Sequence, residues 1–422
     1  MKKDVNYRLY EYAFEKYSSM GINCEEVLDA VDSIPISLHC WQLDDLGGFE
    51  RPNAKLSGGG IQTTGNYLGS PSNIREFRDD VKTTLELIPG KKRLSLHTIY
   101  GEFHGGKIQR NEIDETHFQG WVKWALEQGI SLDFNSTLFS HPLADEDGFT
   151  LSNRDPKTRK YWVDHVKQAR KISSMIGRMQ GNSCIHNIWI PDGEKDSPVD
   201  RKGYRQRLIE SLDEVLNISY PESEMRDSVE GKLFGIGSES FVVGSYDFYL
   251  GYAISRNILI TLDMGHFHPT ESVADKISAI SPFVPGILLH CSRGVRWDSD
   301  HVVVLDDSMQ ELAKELVRSN VLDKTCIGLD FFDASINRVG ALALGARTVR
   351  KALLIAFLEP LKKLQKSDQK MNGFTKLALL EESKSLPWNL VWDEYCHRSG
   401  VPDDSTFFYS VMEYEKNIMK KR

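Results

Sequence analysis

Acidic and histidine residues gather around four apolar segments that follow one another in the second half of the 422-residue chain. These segments carry, in chain order, Glu230, Asp263, His266, His290, Asp298, Asp300 and Asp330. Several carboxylates cannot share a low-dielectric site without counter-charge, because burial and mutual repulsion would protonate some of them. Divalent cations supply that counter-charge, so the pattern predicts a metal site.

The donor types indicate which ions would suit such a site. Carboxylate oxygen predominates, imidazole is the minority donor and thiolate is missing. This set favours Mn²⁺, Mg²⁺ or Co²⁺ over a structural Zn²⁺, with Zn²⁺ left as an alternative. Seven ligands exceed what one ion with open positions would take, so two metal ions are the simpler count.

A single acidic or histidine residue has a simpler interpretation. An Asp after an apolar strand usually caps the next helix, so Asp133 and Asp192 are as well explained by capping as by support of a site. His165 is more typical of packing. Three glycines at 58–60 lack the Lys-Ser/Thr of a phosphate-binding loop, and we interpret them as the hinge of a lid over residues 44–67.

The elements that would position the acidic cluster follow a regular order. Eight short apolar runs are each followed by a polar loop with Gly or Pro and by a segment with helical periodicity. The runs cover residues 36–41, 93–97, 130–134, 185–190, 231–236, 258–263, 286–290 and 326–330. This order predicts an α/β fold, a (β/α)8 TIM barrel, whose strands meet at one mouth at their carboxyl ends. Glu230 would enter the fifth strand, with Lys232 on the same face.

Two helical segments lie outside this repeat. An N-terminal helix is predicted over about residues 2–30, and one catalytic barrel domain over residues 1–360. Residues 361–422 are predicted to form a C-terminal helical extension. Its aromatic residues are Trp388, Trp392, Tyr395, Phe407 and Phe408. A solvated tail should not expose so many, so we expect the extension to pack on the barrel or on a neighbouring subunit.

The composition disfavours several other classes of protein. The chain has 52 Lys and Arg against 60 Asp and Glu, and this net charge of −8 argues against nucleic-acid binding. No apolar stretch reaches the roughly 18 to 20 residues of a membrane span, and no signal core opens the chain. We therefore expect a cytoplasmic protein with no membrane partner. Six cysteines without a CxxC pair are expected to be reduced and mostly buried.

Seven motifs resemble those of the bacterial L-rhamnose isomerases over nearly the full length of the chain. They are SLHCWQ at 37–42, GGIQ at 59–62, TGNY at 64–67, NIWIPDG at 187–193, LDMGHFHPT at 262–270, VRWDSDH at 295–301 and GLDFFDASINR at 328–338. The resemblance implies a (β/α)8 barrel with two metals, Mn²⁺ preferred, and a homotetramer. It also implies a small-molecule sugar substrate, with L-rhamnose and L-rhamnulose interconverted in L-rhamnose catabolism.

The resemblance further implies roles for individual residues. Carried over by position, the ligands of the first metal are Glu230, Asp263, His290 and Asp330, and those of the second are His266, Asp298 and Asp300. His97 resembles the ring-opening base, with an imidazole pKa near neutrality suited to that task. Lys232 would polarise the carbonyl O1, and Trp189 and Phe332 would form dry walls. Glu230 is preferred to Glu239 because it matches the Glu-x-Lys element of sugar isomerases.

Two mechanisms fit these residues. In a metal-assisted 1,2-hydride shift, hydrogen passes directly from C2 to C1 of the sugar. In an ene-diol route a carboxylate removes the C2 proton, with Asp330 as the candidate catalytic base. The hydride shift is favoured because so many carboxylates serve as ligands.

Three other functions stay open at this point. A sister aldose isomerase of the xylose or glucose type would share the barrel and its two metals. A barrel-type endonuclease would need a basic groove, which the charge disfavours. A non-catalytic sugar-binding barrel would have no need of four charged strand ends.

Overall fold

A computed structural model of the protein describes residues 2–51, 65–145, 148–233, 239–296 and 298–422. The glycines at 58–60, Trp297, and parts of the predicted lid and of the predicted fifth strand lie outside these residues. Within the described ranges, eight parallel strands close into a barrel. This closed barrel confirms the predicted (β/α)8 fold.

The strands alternate with helices along the chain, as the apolar periodicity predicts. The strands are β1 (Ile36–His39), β2 (Lys92–His97), β3 (Ser131–Asn135), β4 (Cys184–Ile188), β5 (Gly193–Glu194), β6 (Met225–Glu230), β7 (Phe241–Val242), β8 (Leu259–Asp263), β9 (Ile287–Cys291) and β10 (Thr325–Leu329). The barrel runs in the order β1-β10-β9-β8-β6-β4-β3-β2, and the short strands β5 and β7 form a separate antiparallel pair.

Helices surround the barrel and extend it at both ends of the chain. They are α1 (Lys2–Ser19), α2 (Cys24–Ser33), α3 (Ile74–Glu86), α4 (Gln119–Glu127), α5 (Pro142–Asp145), α6 (Pro156–Gln180), α7 (Arg201–Leu216), α8 (Tyr246–Arg256), α9 (Val273–Ile280), α10 (Asp307–Arg318), α11 (Arg338–Phe357), α12 (Leu361–Gln369), α13 (Gly373–Lys384), α14 (Trp388–Arg398) and α15 (Asp404–Asn417). Helix α6 begins with a cap and a proline, because Asp155 accepts a hydrogen bond from the Thr158 amide and Pro156 opens the helix.

The fifth barrel strand is β6, and its predicted position at 231–236 is wrong. The strand ends at Glu230, so this carboxylate stands at the mouth of the barrel rather than at the start of the strand. The apolar pattern missed β6 because charged residues interrupt it. One of them, Asp227, is buried and lies 2.9 Å from both the Arg170 guanidinium and the His186 ring. Such a pairing depends on tertiary structure and leaves no local sequence signal.

The two ends of the chain pack against each other. The single predicted N-terminal helix is two helices, α1 and α2, with Gly21 at a φ of 82° between them. Tyr17, Leu354 and Trp392 belong to one apolar cluster that joins these helices to α11 and α14. Trp392 is buried there, whereas Phe408 on α15 is 61% exposed. The C-terminal extension therefore contacts the N-terminal helices of its own chain.

The main apolar core fills the space between the barrel strands and the helices around them. Five of the six cysteines are buried and Cys326 is half-buried, which confirms the predicted burial, and all six are free thiols. None of the helices in the described ranges is both long and apolar enough to cross a membrane.

His165 on α6 is a buried packing residue, as predicted, and its environment gives a testable pH dependence. The Thr137 amide donates to its Nε2 at 3.1 Å, and its Nδ1 lies 3.1 Å from the Arg110 carbonyl oxygen. Burial, together with the positive charge of Arg110, lowers the pKa of His165 from 6.5 to about 3. Below pH 6.5, His165 therefore binds a proton in the unfolded chain but not in the folded protein. The free energy of unfolding falls as the pH falls.

We expect His165 to lower the free energy of unfolding by about 2 kcal/mol when the pH falls from 7 to 5. Urea unfolding of the wild type and of His165→Gln at both pH values measures it. The variant should lose about 2 kcal/mol less over this interval. Equal losses in the two proteins would show that His165 titrates normally in the folded state.

Candidate active site

Four barrel strands that are neighbours in the sheet bring the predicted metal ligands to one mouth. Glu230 ends β6, Asp263 ends β8, His290 is the second-last residue of β9, and Asp330 directly follows β10. Asp263 and His290 are paired in the register of β8 and β9. Because all strands of the barrel are parallel, their carboxyl ends meet at this mouth.

The first predicted group, Glu230, Asp263, His290 and Asp330, offers ligand atoms that all lie within 4.8 Å of one another. Three carboxylate oxygens converge on His290 Nδ1. The distances are 3.1 Å from Glu230 Oε1, 3.3 Å from Asp330 Oδ2 and 3.8 Å from Asp263 Oδ2. One ring nitrogen can satisfy only one of these oxygens by hydrogen bonding, so the arrangement suits a shared cation better than a hydrogen-bond network.

The second predicted group, His266, Asp298 and Asp300, also has its ligand atoms within 4.8 Å of one another. His266 Nδ1 donates to the Gly231 carbonyl oxygen at 2.9 Å, which leaves the Nε2 lone pair free to bind a metal. That Nε2 lies 3.4 Å from Asp298 Oδ2. Asp300 has a φ of 42°, in the left-handed region, which aspartate and asparagine enter more readily than other non-glycine residues.

The electrostatics of the two groups agree with the crowding expected from the sequence. Burial, and then the neighbouring negative charges, raise the pKa of Asp263 to about 7 and hold the pKa of Asp300 well above its usual range. Burial alone would lower the pKa of His290, but Glu230 and Asp330 raise it well above the usual value. The carboxylates cannot all be ionised together without positive charge between them.

Unpartnered atoms also favour metal binding. Asp263 Oδ2 and Asp298 Oδ1 are buried and have no hydrogen-bond partner among the described residues. A buried carboxylate oxygen without a partner costs free energy, which a bound cation would offset. The two groups together offer five carboxylates, two imidazoles and no thiolate, a ligand set that suits hard divalent ions. The residues therefore fit a pair of divalent metal ions.

A cavity opens beside both groups at the carboxyl mouth of the barrel. Its lining residues are Trp41, Leu46, His97, Asn135, Ser136, Phe139, Asn187, Trp189, Glu230, His266, Asp298, Asp300, Asp330 and Phe332. Trp189 and Phe332 thus line the cavity, where the dry walls are predicted. Sequence reasoning gave no role to Trp41 or Asn187, although both lie in motifs that carry the family resemblance.

His97, the predicted ring-opening base, lies at the end of β2 and lines the cavity. Its Nδ1 is 3.1 Å from Thr137 Oγ1, and its ring packs edge-on against Trp41 and Phe139. The expected pKa near neutrality is wrong, because burial lowers the pKa of His97 to about 3, although Asp330 opposes this shift. His97 is therefore a neutral imidazole in the folded protein.

Lys232 is not where the sequence placed it. It follows β6 rather than lying within a strand, so the predicted face shared with Glu230 is wrong. Its ammonium lies 2.6 Å from Glu239 Oε2 and donates to the Pro191 carbonyl oxygen at 2.8 Å. It is 5.7 Å from the centre of the Trp189 ring and outside the set of cavity-lining residues. Glu239, which the sequence left without a role, is thus the partner of Lys232.

Asp133 and Asp192 hold loops and strands together. Asp133 accepts hydrogen bonds from Ser37, Arg93 and the Ile185 amide near the other end of the barrel. Asp192 is buried and accepts bonds from the amides and hydroxyls of residues 150 and 152. Both interactions are structural, and neither residue belongs to the two ligand groups.

A TIM barrel with two acid-and-histidine groups and a cavity at its carboxyl mouth defines a metal-dependent barrel enzyme. A model of the family "RhaA: L-rhamnose isomerase (RhaA)" matches residues 4–422. The chain belongs to the L-rhamnose isomerase family, and it is an isomerase.

Individual relatives agree with the family match. The chain is 52% identical over 413 residues to an L-rhamnose isomerase of Salmonella agona (strain SL483), and the match covers 98% of each chain. An L-rhamnose isomerase of Salmonella enteritidis PT4 (strain P125109) has the same identity and coverage. Among solved structures, that of an L-ribulose 3-epimerase has a TM-score of 0.48 at 11% identity, and covers 79% of this chain and 97% of that chain.

Proposed function

We propose that the protein interconverts L-rhamnose and L-rhamnulose in its mouth cavity, with two divalent metal ions, Mn²⁺ foremost, in L-rhamnose catabolism. One observation carries the proposal: in a member of this family, seven donors converge in two groups beside one cavity at the barrel mouth. The alternative of a xylose or glucose isomerase is not favoured, because the curated relatives at 52% identity are L-rhamnose isomerases.

The residues that would hold the metals are the two groups already described. The first ion would be held by Glu230, Asp263, His290 and Asp330, and the second by His266, Asp298 and Asp300. When bound, the ions supply Lewis acidity that stabilises negative charge growing on the sugar oxygens. The side chains of the cavity orient the open-chain sugar and exclude water from it.

His97 would open the sugar ring. Thr137 Oγ1 can accept the Nδ1 hydrogen of His97, which leaves the Nε2 lone pair to take a hydroxyl proton from the cyclic sugar. Trp189 and Phe332 would exclude water and so suppress exchange of the migrating hydrogen. Lys232 would contact O1 only after exchanging its bonds to Glu239 and Pro191, so its role in polarising the carbonyl requires a movement of this side chain.

The transfer step that we favour is a 1,2-hydride shift. Hydrogen passes from C2 to C1 with its electron pair, and the proton of the C2 hydroxyl is transferred to O1. The candidate base of the ene-diol route, Asp330, is already engaged by the Trp41 indole and lies 3.3 Å from His290 Nδ1. This engagement leaves it poorly placed to remove a C2 proton.

A single turnover of L-rhamnose in D₂O tests this step. The L-rhamnulose formed should carry no more than a trace of deuterium at C1, read by proton NMR or mass spectrometry. Substantial deuterium at C1 would instead assign the ene-diol route, because a proton held by a carboxylate exchanges with solvent.

A metal-and-sugar panel tests the proposed function itself. Protein stripped with a chelator should form no ketose, and added Mn²⁺ should restore turnover with a strong preference for L-rhamnose over D-xylose and D-glucose. Preferential turnover of D-xylose would assign a sister isomerase. No ketose from any sugar, with sugar binding retained, would assign a non-catalytic sugar-binding barrel.

We further propose a cytoplasmic homotetramer, with a catalytic domain at 1–360 and the helical extension at 361–422. The free thiols of all six cysteines support a reducing compartment. Phe374, Phe408 and Tyr409 of the extension are 81%, 61% and 70% exposed, and contacts with another subunit would cover them. Sedimentation velocity should give the mass of four chains, and a monomer at micromolar concentration would contradict this assembly.

A further inference from the structure

At the mouth of the barrel, side-chain hydrogen bonds connect the segments that follow β1 and β10, beyond the end of their backbone pairing. The register between the two strands ends at Ser37 and Gly328. Beyond it, His39 Nε2 lies 2.5 Å from the Phe331 carbonyl oxygen. Gln42 Nε2 then donates to the Asp333 carbonyl oxygen at 3.1 Å, and Gln42 Oε1 accepts from the Asp333 backbone amide at 2.9 Å. The turn after β1 therefore fixes the segment that follows Asp330.

Trp41 lies between these two contacts and reaches Asp330 itself. Its indole Nε1 donates to Asp330 Oδ1 at 2.9 Å, while Asp330 Oδ2 lies 3.3 Å from His290 Nδ1. The two oxygens of this carboxylate are thus divided between an indole and the first ligand group. Trp41 is only 2% exposed, and its ring lines the cavity beside His97. The indole therefore has little freedom to leave the carboxylate.

We propose that Trp41 is a positioning residue, whose indole N–H holds Asp330 Oδ1 so that Oδ2 alone faces the first ligand group. The inference rests on the proposed function, because it assigns Asp330 as a metal ligand. Without the N–H, the carboxylate can rotate and present either oxygen, and Oδ1 loses its donor. Losing a group that orients a metal ligand typically weakens metal binding by about 10- to 100-fold.

The chain offers a matched control for this contact. Trp189 also lines the cavity, but its Nε1 is buried without a hydrogen-bond partner among the described residues. Trp41→Phe and Trp189→Phe both shorten an aromatic wall and both remove an indole N–H. Only Trp41→Phe removes an N–H that holds a carboxylate of the first ligand group.

The test is a Mn²⁺ titration of the chelator-stripped proteins without sugar, with free Mn²⁺ followed by electron paramagnetic resonance. Trp41→Phe should weaken one of two sites by about 10- to 100-fold and leave the other unchanged. Trp189→Phe should bind both ions like the wild type. A higher Mn²⁺ concentration should also recover much of the kcat of Trp41→Phe, because it refills a metal site whose affinity is weakened. A loss of activity caused by the altered cavity wall would not respond to Mn²⁺.

Other outcomes separate this inference from the proposed function. Wild-type affinity at both sites of Trp41→Phe, or equal weakening in Trp189→Phe, would overturn the positioning role while the function stands. A wild type that binds no Mn²⁺ would overturn both. If Trp41→Phe does not fold by circular dichroism, replacing Trp41 by 3-benzothienylalanine keeps the ring shape and removes only the N–H. Unchanged affinity in that protein would equally overturn the role.

Discussion

Asp300→Asn is expected to lower L-rhamnose turnover by at least about 100-fold and to reduce the bound Mn²⁺ from two ions per chain to one. The amide has no negative charge, so only His266 and Asp298 would remain as full donors of the second group. Steady-state ketose formation and Mn²⁺ stoichiometry measure the two effects.

The fold should survive this change for two reasons. Asparagine tolerates the left-handed backbone of position 300, where φ is 42°, as well as aspartate does. Burial and neighbouring carboxylates already hold the pKa of Asp300 well above its usual range, so the metal-free protein disfavours a charge at this position and a neutral amide adds no electrostatic cost. The stripped variant should therefore unfold at no lower urea concentration than the stripped wild type.

A matched control for Asp300→Asn is Asp323→Asn, at an exposed aspartate near the start of β10 and outside both ligand groups. It makes the same chemical change and should leave activity and metal stoichiometry unaltered. Near-normal turnover in Asp300→Asn, or two ions still bound with wild-type affinity, would remove Asp300 from the second site.

Glu230→Gln is expected to have an effect of similar or greater size, because Glu230 faces both ligand groups. Its Oε1 lies 3.1 Å from His290 Nδ1 and 3.4 Å from His266 Nδ1, and its Oε2 accepts a hydrogen bond from the Asn187 amide at 2.5 Å. A glutamine must turn its oxygen toward the Asn187 donor, which leaves its own NH₂ facing the two histidines. That donor would repel a cation.

Turnover of Glu230→Gln should fall by at least about 100-fold, and Mn²⁺ affinity should fall at the first group. Calorimetric titration with Mn²⁺ and ketose formation are the measurements. The exposed Glu222→Gln, just before β6, is the control and should behave like the wild type. Retained Mn²⁺ affinity at both sites of Glu230→Gln would point to another residue as the fourth ligand of the first group.

Much of the site follows from local sequence because TIM-barrel geometry is regular. Once the apolar runs indicate β8, β9 and β10, the residues that end them must meet at one mouth. Asp263, His290 and Asp330 therefore fall together without any knowledge of long-range contacts. Glu230 was grouped correctly with them through the Glu-x-Lys element, although its strand was placed too late in the chain.

Other features depend on contacts between distant residues. β6 was missed because its Asp227 is buried by Arg170 and His186, which are 57 and 41 residues away in the chain. The pKa of His97 depends on burial at the barrel mouth, which the neighbouring residues in the sequence do not reveal. Lys232 was assigned to the substrate by motif, but the folded chain places it beside Glu239.

By itself, the sequence determined the barrel class, the family and the members of the two candidate ligand groups, because strand and helix periods and the spacing of acidic and histidine residues are local properties. Only the tertiary structure decided which atoms of these side chains lie close to one another. It assigned Nε2 of His266 to the second group, divided the Asp330 oxygens between the first group and Trp41, and set the protonation of buried groups. The Trp41–Asp330 contact joins residues 289 positions apart. Hydrogen-bond partners and burial at that separation exist only once the barrel has closed.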